Sequence, residues 1–183
     1  MLQLSDTAVQ DYYMRPWCGW CTMKILVFSD SHSSLRFMRM CIAKFHPDGV
    51  IHLGDHYDDG ETLALENPHI PFWQVPGNCD LYGGFNIKSD AVRLCNIDGT
   101  SLLLTHGHRH GVKNGLERLL RDARASGVDG VFFGHTHCAL CRREADGLWV
   151  LNPGAAGLSG AVVEIMCGKI SACRLIGQAD LEL

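Results

Sequence analysis

The first half of the chain alternates short apolar runs with a stretch of helical spacing. Residues 25–28 are all apolar, which is typical of a strand buried on both faces. Apolar side chains then recur at helical spacing over residues 35–45, and the pattern stops at the Pro-Asp-Gly of residues 47–49. A second apolar run at residues 50–53 completes a strand–helix–strand unit, for which we predict the usual right-handed connection. Residues 72–75 predict a third strand.

The second half of the chain carries turn signals that are typical of antiparallel hairpins. The three predicted hairpins span residues 91–105, 139–151 and 161–175, with turns at Asp98-Gly99, Asp146-Gly147 and Cys167-Gly168. A helix near residues 116–123, with Gly127 as its C-terminal cap, and a strand at residues 131–133 lie between the first two hairpins. A parallel beginning followed by hairpins predicts an α/β sandwich, in which two packed sheets have helices outside.

The composition predicts one ordinary globular domain. With 183 residues and 20.2 kDa, the chain is long enough for one full core and short for two. Its 46% hydrophobic and 20% charged residues exclude the disordered class. The composition changes once, before Met23. We therefore predict a domain at residues 23–183, preceded by an N-terminal extension at residues 1–22 that lies outside the fold.

Charge and cysteine content narrow the choice of compartment and partner. The net charge of −4 gives no general basic surface, so we expect no large nucleic-acid partner. No apolar run approaches the roughly 18 residues of a membrane span, and the first residues lack a signal-peptide pattern. The nine cysteines are an odd number in a chain that needs no disulfides, which favours reduced thiols and a cytoplasmic protein. Hairpin edges near the C-terminus leave a homo-oligomer open.

Candidate ligands are concentrated in a few short motifs. These are Asp30-Ser31-His32, Gly54-Asp55, Gly77-Asn78-Cys79-Asp80, His106-Gly107-His108 and Gly134-His135-Thr136-His137. Each lies at or just past the carboxyl end of an apolar strand run, the edge at which open α/β sheets bind ligands. Asp30 with His32, and His135 with His137, are i, i+2 pairs. In extended backbone such side chains point the same way, so we expect each pair to reach one pocket.

The donor types in these motifs indicate a transition-metal site. Carboxylate, imidazole and amide oxygen ligands suit Mn²⁺, Fe²⁺ or Zn²⁺ better than Ca²⁺. Two carboxylates, four imidazoles and one Asn are more than a single ion can use. With Asp55 bridging, they would hold two ions about 3.5–4 Å apart, the spacing of hydrolytic two-metal sites. Such a site fits the hydrolysis of phosphate esters.

The order of the motifs resembles that of a known family. D-x-H, G-D, G-N-x-D, H-G-H and G-H-T-H follow one another over about residues 23–175, as in the calcineurin-like metallophosphoesterase superfamily. The length of the chain, the Gly-Asn-Cys-Asp form and Asn152-Pro153-Gly154 resemble its small YfcE-type phosphodiesterase branch. The resemblance implies a four-layered αββα sandwich of two mixed β-sheets flanked by helices, with a dinuclear metal site.

The resemblance also implies a role for each ligand. It assigns Asp30, His32 and His137 to the first metal, Asp55 to the bridge, and Asn78, His106 and His135 to the second metal. It favours two Mn²⁺ ions, with Ni²⁺, Fe²⁺, Zn²⁺ or Mg²⁺ as alternatives. The implied reaction is hydrolysis of a small phosphodiester by in-line attack of a water that bridges the two metals.

The general acid is left open by a departure from the family pattern. Many larger relatives carry His after the Asn, whereas this chain has Cys79, and a neutral thiol is a poor acid. His108 is the first candidate for the acid, His56 the second, and a metal-bound water the third. Asp80 is a further candidate for the catalytic site, expected to orient the loop or a ligand more than to act on substrate.

Two other functions and a cysteine site remain as alternatives. The retromer subunit with this fold indicates a non-catalytic metal-binding scaffold for protein interaction, and a phosphomonoesterase or nucleotide hydrolase can use the same donors. The complete ligand set favours an enzyme. Cys18 and Cys21 imitate a thioredoxin motif and, with Cys138 and Cys141, are conceivable zinc ligands. We interpret Asp58-Asp59 as a helix N-terminal cap.

Overall fold

The computed structural model describes residues 11–13, 22–82 and 91–182. The helices are α1 (Leu35–Phe45), α2 (Tyr57–Glu66), α3 (Asn78–Tyr82) and α4 (Glu117–Ala125). The strands are β1 (Asp11–Tyr13), β2 (Met23–Phe28), β3 (Gly49–His52), β4 (Phe72–Gln74), β5 (Val92–Ile97), β6 (Thr100–Thr105), β7 (Gly130–Phe132), β8 (Leu140–Arg143), β9 (Trp149–Asn152), β10 (Ser159–Met166) and β11 (Lys169–Gly177). None of the helices in these ranges is long and apolar enough to cross a membrane.

One sheet is built from the predicted strand–helix–strand unit. Its five strands follow the order β11-β10-β2-β3-β4, in which β2, β3 and β4 are parallel and the β10–β11 hairpin is antiparallel. The last four residues of β2 are buried on both faces, as the continuous apolar run predicts. The turn at Cys167-Gly168 is where the sequence predicts it.

The other sheet contains the remaining two predicted hairpins. Its six strands follow the order β1-β5-β6-β7-β9-β8, with parallel pairs β6–β7 and β7–β9. The β5–β6 and β8–β9 pairs are antiparallel. Residues 11–13, from the predicted extension, pair in parallel with β5 at the edge of this sheet. The domain boundary at Met23 stays a prediction.

Three apolar clusters define the layers of the molecule. Ile25 and Ile51 of one sheet pack with Leu102 and Phe132 of the other in the central cluster. A second cluster lies between the five-stranded sheet and α1, and a third between the six-stranded sheet and α4. The order of layers is therefore helix, sheet, sheet, helix, and the expected αββα sandwich of two mixed sheets is confirmed.

The sandwich brings the five motifs to one end. Each motif follows the carboxyl end of a parallel strand: β2, β3 and β4 in one sheet, β6 and β7 in the other. Backbone bonds join neighbouring motifs, since Asp30 N donates to Gly54 O at 2.9 Å and Gly134 N donates to His106 O at 3.1 Å. The side chain of His106 links the two sheets, because its Nδ1 lies 2.8 Å from Leu53 O.

Candidate metal centre

The first candidate ligand group consists of Asp30, His32 and His137. Its ligand atoms lie within 4.8 Å of one another. Asp30 is buried, and its Oδ1 lies 3.1 Å from Nε2 of His137, whose side chain is 49% exposed. His32 is exposed as well. A ligand bound here therefore has the protein below it and solvent above.

The second candidate group consists of Asp55, His106 and His135, and it adjoins the first. Its ligand atoms also lie within 4.8 Å of one another, and two of its three residues are buried. His106 Nε2 lies 3.4 Å from Asp55 Oδ2 and 3.8 Å from Asp30 Oδ1. The His106 ring thus faces a carboxylate of each group. The family resemblance likewise assigns His106 and His135 to one metal, and Asp55, for which it implies a bridging role, lies in the same group.

The hydrogen bonds of these residues show that the donor set fits a divalent cation. Asp30 Oδ2 accepts from Ser29 Oγ at 2.6 Å and from His135 N at 3.0 Å, but its buried Oδ1 has no hydrogen-bond partner among the described residues. His106 donates from Nδ1 to a carbonyl, so in the neutral ring Nε2 carries a lone pair that faces two carboxylates. A divalent cation placed between Asp30 Oδ1 and the neutral His106 ring would satisfy both of these buried atoms.

Asn78 extends the second group by an amide oxygen. Its Oδ1 is buried and has no hydrogen-bond partner in the part of the chain that the structure describes. Its Nδ2 lies 3.5 Å from Cys79 Sγ, and Cys79 N donates to Asp55 Oδ1 at 2.9 Å. Asn78 therefore offers a free acceptor, and it precedes the residue whose amide binds the Asp55 carboxylate. All seven predicted ligands lie at the same end of the sandwich.

The electrostatics of the second group favour positive charge. Burial raises the pKa of Asp55, but the bond and charge of His106 and the Cys79 amide outweigh it, and the pKa lies well below its usual range. Burial lowers the pKa of His106, but Asp55 and Asp30 raise it overall. The pKa of His135 is lowered, chiefly by burial and then by His106 and Lys113. A neutral His135 is the form that binds metal.

The backbone of the motif loops differs from the prediction. The i, i+2 argument assumed extended backbone, but Asp30, His32, His135 and His137 have φ values of 54°, 44°, 68° and 58°. That assumption is wrong, since these residues are left-handed. Asp30 and His32 still meet in one group, whereas His135 and His137 belong to different groups. The loop turns between the two histidines.

Asp80 lies beneath the loops as a bidentate hydrogen-bond acceptor. Its Oδ1 accepts from the backbone amides of His56 and Tyr57 at 2.8 and 2.9 Å. Its Oδ2 accepts from those of Asp55 and Gly77 at 3.0 and 2.7 Å. The carboxylate is buried and both oxygens are occupied. Asp80 thus holds the turn that carries Asp55 against the one that carries Asn78.

Asp59 has a comparable position under the first motif. Asp58 and Asp59 lie in the first turn of α2, whose N-cap residue is His56, so the prediction that they cap the helix is wrong. The Asp59 carboxylate accepts from Ser31 Oγ at 2.7 Å and from Ser33 N at 2.8 Å. It therefore fixes the loop around His32 from below. Sequence reasoning missed this role, because the partners are 26 and 28 residues away.

His52 belongs to the same buried network. Its Nε2 lies 3.1 Å from Ser31 Oγ, whose hydrogen is directed to Asp59, so His52 donates from Nε2. Burial lowers the pKa of His52 to about 4, and the ring is therefore neutral at pH 7. The signal in the sequence is a histidine inside an otherwise apolar strand.

The two histidines considered as acids adjoin different ligand groups. The His108 ring is 5.5 Å from that of His106, and burial, followed by the charges of His106 and Arg109, lowers the pKa of His108 to about 4. The His56 ring is 5.3 Å from that of His32. Cys79 is exposed as a residue. Partial burial of its thiol, and then the contact with Asp55, raise its pKa. The thiol is thus protonated and a weak donor.

The cysteines take no part in the candidate groups found among the described residues. Cys18 and Cys21 lie outside those residues. Cys138 is exposed, and Cys141 Sγ lies 2.9 Å from Cys173 Sγ, between edge strands of the two sheets.

Known proteins are similar to this chain in sequence and in fold. A probable metallophosphoesterase of Bacillus subtilis, YsnB, is 36% identical over 139 residues, which are 74% of this chain and 76% of the relative. Phosphodiesterase MJ0936 of Methanocaldococcus jannaschii is 30% identical over 175 residues, 87% of this chain and 94% of the relative. The structure of Vacuolar Protein Sorting 29 from Cryptosporidium parvum has a TM-score of 0.65 at 16% identity and covers 85% of this chain and 98% of its own.

The family follows from the sequence match together with the fold. Residues 23–171 match the calcineurin-like phosphoesterase superfamily domain. That range contains all five motifs and both candidate ligand groups. The chain belongs to the calcineurin-like phosphoesterase superfamily.

Proposed function

We propose that the protein is a metal-dependent phosphodiesterase with two divalent cations, Mn²⁺ above all. The observation that carries the proposal is the pair of adjoining ligand groups, in which buried acceptor atoms face one another. Asp30, His32 and His137 would hold one ion. Asn78, His106 and His135 would hold the other, with Asp55 between them. When bound, such ions neutralise phosphate charge and lower the pKa of a shared water.

The residues of this chain would position the reaction. The buried Asp30 and His106 form the floor of the centre, and the exposed His32 and His137 form its open side. A phosphate ester therefore approaches from the side of the two exposed histidines. His108 adjoins His106 of the second group and His56 adjoins His32 of the first, so each would donate a hydrogen bond to the ester or to the departing oxygen from its own group. A neutral His108 acts at pH 7 as a hydrogen-bond donor.

The preference for diesters rests on two observations. A relative that matches 87% of the chain carries the name phosphodiesterase. In addition, Cys79 places a neutral thiol next to the Asn78 ligand, so this position supplies no cation for the extra negative charge of a monoester. A phosphomonoesterase or nucleotide hydrolase remains the second candidate, since it would use the same donors.

An assay of metal-stripped protein tests the proposal. Bis(p-nitrophenyl) phosphate and p-nitrophenyl phosphate are compared after addition of Mn²⁺, Mg²⁺, Zn²⁺ or Ni²⁺, with bound metal counted in parallel. We expect two ions per chain and turnover of the diester that returns with metal. Faster turnover of the monoester would assign the second candidate. A chain that binds no metal would contradict the assignment of the ligands.

The likeness to a vacuolar sorting protein defines the scaffold alternative. A fold match at 16% identity shows architecture alone. Two bound ions with neither ester hydrolysed, on a panel that includes cyclic and nucleotide diesters, would favour the scaffold over the enzyme.

A further inference from the structure

Asn152 is a buried polar residue at the end of β9, outside the seven candidate ligands. Its Nδ2 donates to Gly134 O at 3.0 Å and to Thr136 Oγ1 at 2.9 Å. Its Oδ1 accepts from Gly154 N at 2.9 Å, and the residue is 0% exposed. Both hydrogens of the amide are therefore committed to the loop between β7 and β8. Replacing a buried side chain that makes three hydrogen bonds leaves its partners unsatisfied and lowers the stability of the protein.

The orientation of the amide is fixed by its partners. Gly154 N can only donate, so it must face the oxygen of the Asn152 side chain. Gly134 O can only accept, so it must face the nitrogen. The two ends of the amide cannot be exchanged, and an aspartate in this place would put a second oxygen against the Gly134 carbonyl.

The loop held by Asn152 carries one ligand of each metal group. Gly134 and Thr136 alternate along the chain with His135 and His137, which belong to the second and the first group. Both histidines are left-handed, a conformation that costs free energy in residues other than glycine. The bonds of Asn152 on either side of His135 oppose that cost. They also fix the turn that separates the two imidazoles.

The opposite side of the loop rests on the rest of the centre. His135 N donates to Asp30 Oδ2 at 3.0 Å, and Gly134 N donates to His106 O at 3.1 Å. A Cβ at Gly134 would collide with Ser29 Oγ, so the absence of a side chain lets the loop lie directly against the first motif. The loop is thus clamped between the first motif and Asn152.

We propose that Asn152 is a positioning residue that sets the spacing of the two metal groups by holding Gly134 and Thr136. The inference rests on the proposed dinuclear function. It explains why a strand of the six-stranded sheet ends in a buried amide. It also assigns a role to the Asn-Pro-Gly segment. Asn152 holds the metal-binding loop, and Gly154 contributes by donating from its backbone amide to the Asn152 side chain.

The decisive variant is Asn152→Asp, which keeps the bond to Gly154 N and removes both donors to the loop. Manganese titration of the metal-stripped protein should show the second ion bound about 10- to 100-fold more weakly. The electron paramagnetic resonance signal of a coupled manganese pair should be replaced by that of isolated ions. Val150→Ala is the matched control, since Val150 is buried on the same strand within an apolar cluster and should retain the coupled pair.

Thr136 supplies a second test that does not depend on folding of the Asn152 variant. Thr136→Val removes the acceptor of Asn152 Nδ2, whereas Thr136→Ser retains it. We expect Thr136→Ser to bind the second ion more tightly than Thr136→Val. Equal affinities and equal coupling in Thr136→Val, Thr136→Ser and the unaltered protein would overturn the positioning role.

The unaltered protein separates the two levels of inference. Two coupled ions in the unaltered chain, with no change in the variants, would refute the role of Asn152 and leave the dinuclear centre intact. Failure of the unaltered chain to bind two ions would refute the proposed function and the role of Asn152 with it.

Discussion

The two ends of the sandwich use the same unusual backbone conformation in different ways. At the end away from the metal centre, the hairpin turns at Asp98-Gly99 and Cys167-Gly168 have φ values of 50°, 86°, 52° and 72°. Positive φ at both central residues is the geometry of a type I′ turn. One of the two is glycine in each turn, and glycine adopts positive φ without strain. The conformation is therefore determined by residues next to one another in sequence.

At the metal-centre end, the left-handed conformation also occurs at residues other than glycine, mostly aspartates and histidines. They are Asp30, His32, Ser33, Asp55, His56, His135 and His137. Their loops are held by buried hydrogen bonds between distant segments, such as His135 N to Asp30 Oδ2, 105 residues apart. Each strained residue costs of the order of 1–3 kcal/mol, so the surrounding bonds must stabilise it. One end is thus determined locally, and the other by the tertiary structure.

Replacing the bridging carboxylate should have the largest effect. Asp55→Asn keeps the Oδ1 that accepts from Cys79 N, so the fold should persist. It removes a negative charge from between the two groups, and several kcal/mol of charge stabilisation corresponds to at least about a thousandfold loss of diester turnover. Activity and metal content are measured together. Asp58→Asn, on the exposed side of α2, is the control, and half the original rate in Asp55→Asn would contradict the bridge.

Loosening a loop without touching a ligand should have an intermediate effect. In Asp80→Asn, an NH₂ group faces backbone amides that also donate, and two of four bonds are lost. We expect metal affinity to fall about 10- to 100-fold and the free energy of unfolding to fall by about 2 kcal/mol. Metal titration and urea unfolding measure both effects. Glu61→Gln, an exposed carboxylate on α2, should change neither.

The same contrast explains how much of the molecule could be predicted from the sequence. The β10–β11 hairpin and the β2–α1–β3 unit depend on apolar spacing and on Gly, Pro and Asp at turns, and both were predicted. The ligand types and their strand ends were also predictable, since motif order carries them. The extended backbone assumed for Asp30 and His32 was wrong, because their φ values depend on partners elsewhere in the chain.

The residues that hold the loops were harder to find than the ligands. In the sequence, Asp59 resembled a helix cap, because the partners of its carboxylate are far away along the chain. Asn152 was only part of a family motif, because its one nearby partner is Gly154 and the loop that it holds is distant in sequence. A polar residue inside an apolar strand is the one available signal, and it applies to His52 and Asn152 alike. Their partners become visible only in three dimensions.

The buried network under α2 should make the stability of the metal-centre end depend on pH. The pKa of His52 is about 4 in the folded chain and about 6.5 in the unfolded one, so the unfolded state binds the proton more tightly. The stabilisation from neutral, buried His52 is therefore complete above pH 6.5. It falls with the pH, and the loss in free energy of unfolding is about 2 kcal/mol at pH 5. His52→Gln should reduce the change in the free energy of unfolding between pH 7 and 5, measured by urea titration. His69→Gln, at an exposed position, should leave that change as it is. If the free energy changed equally with pH in His52→Gln and the unaltered protein, His52 would be protonated at little cost.

The smallest effect is expected where the conformation is local. Gly99→Ala puts a Cβ on a residue with φ of 86°, 3.0 Å from Gly168 Cα, which should cost about 1 kcal/mol and lower Tm by about 2–4 °C. Metal affinity should stay unchanged, because this turn lies at the far end of β6 from His106. Gly134→Ala is the matched variant at the other end, where the added Cβ meets Ser29 Oγ and displaces the loop from Asp30. If both substitutions weakened metal binding equally, the two ends would be mechanically coupled and the contrast between local and tertiary control would fail.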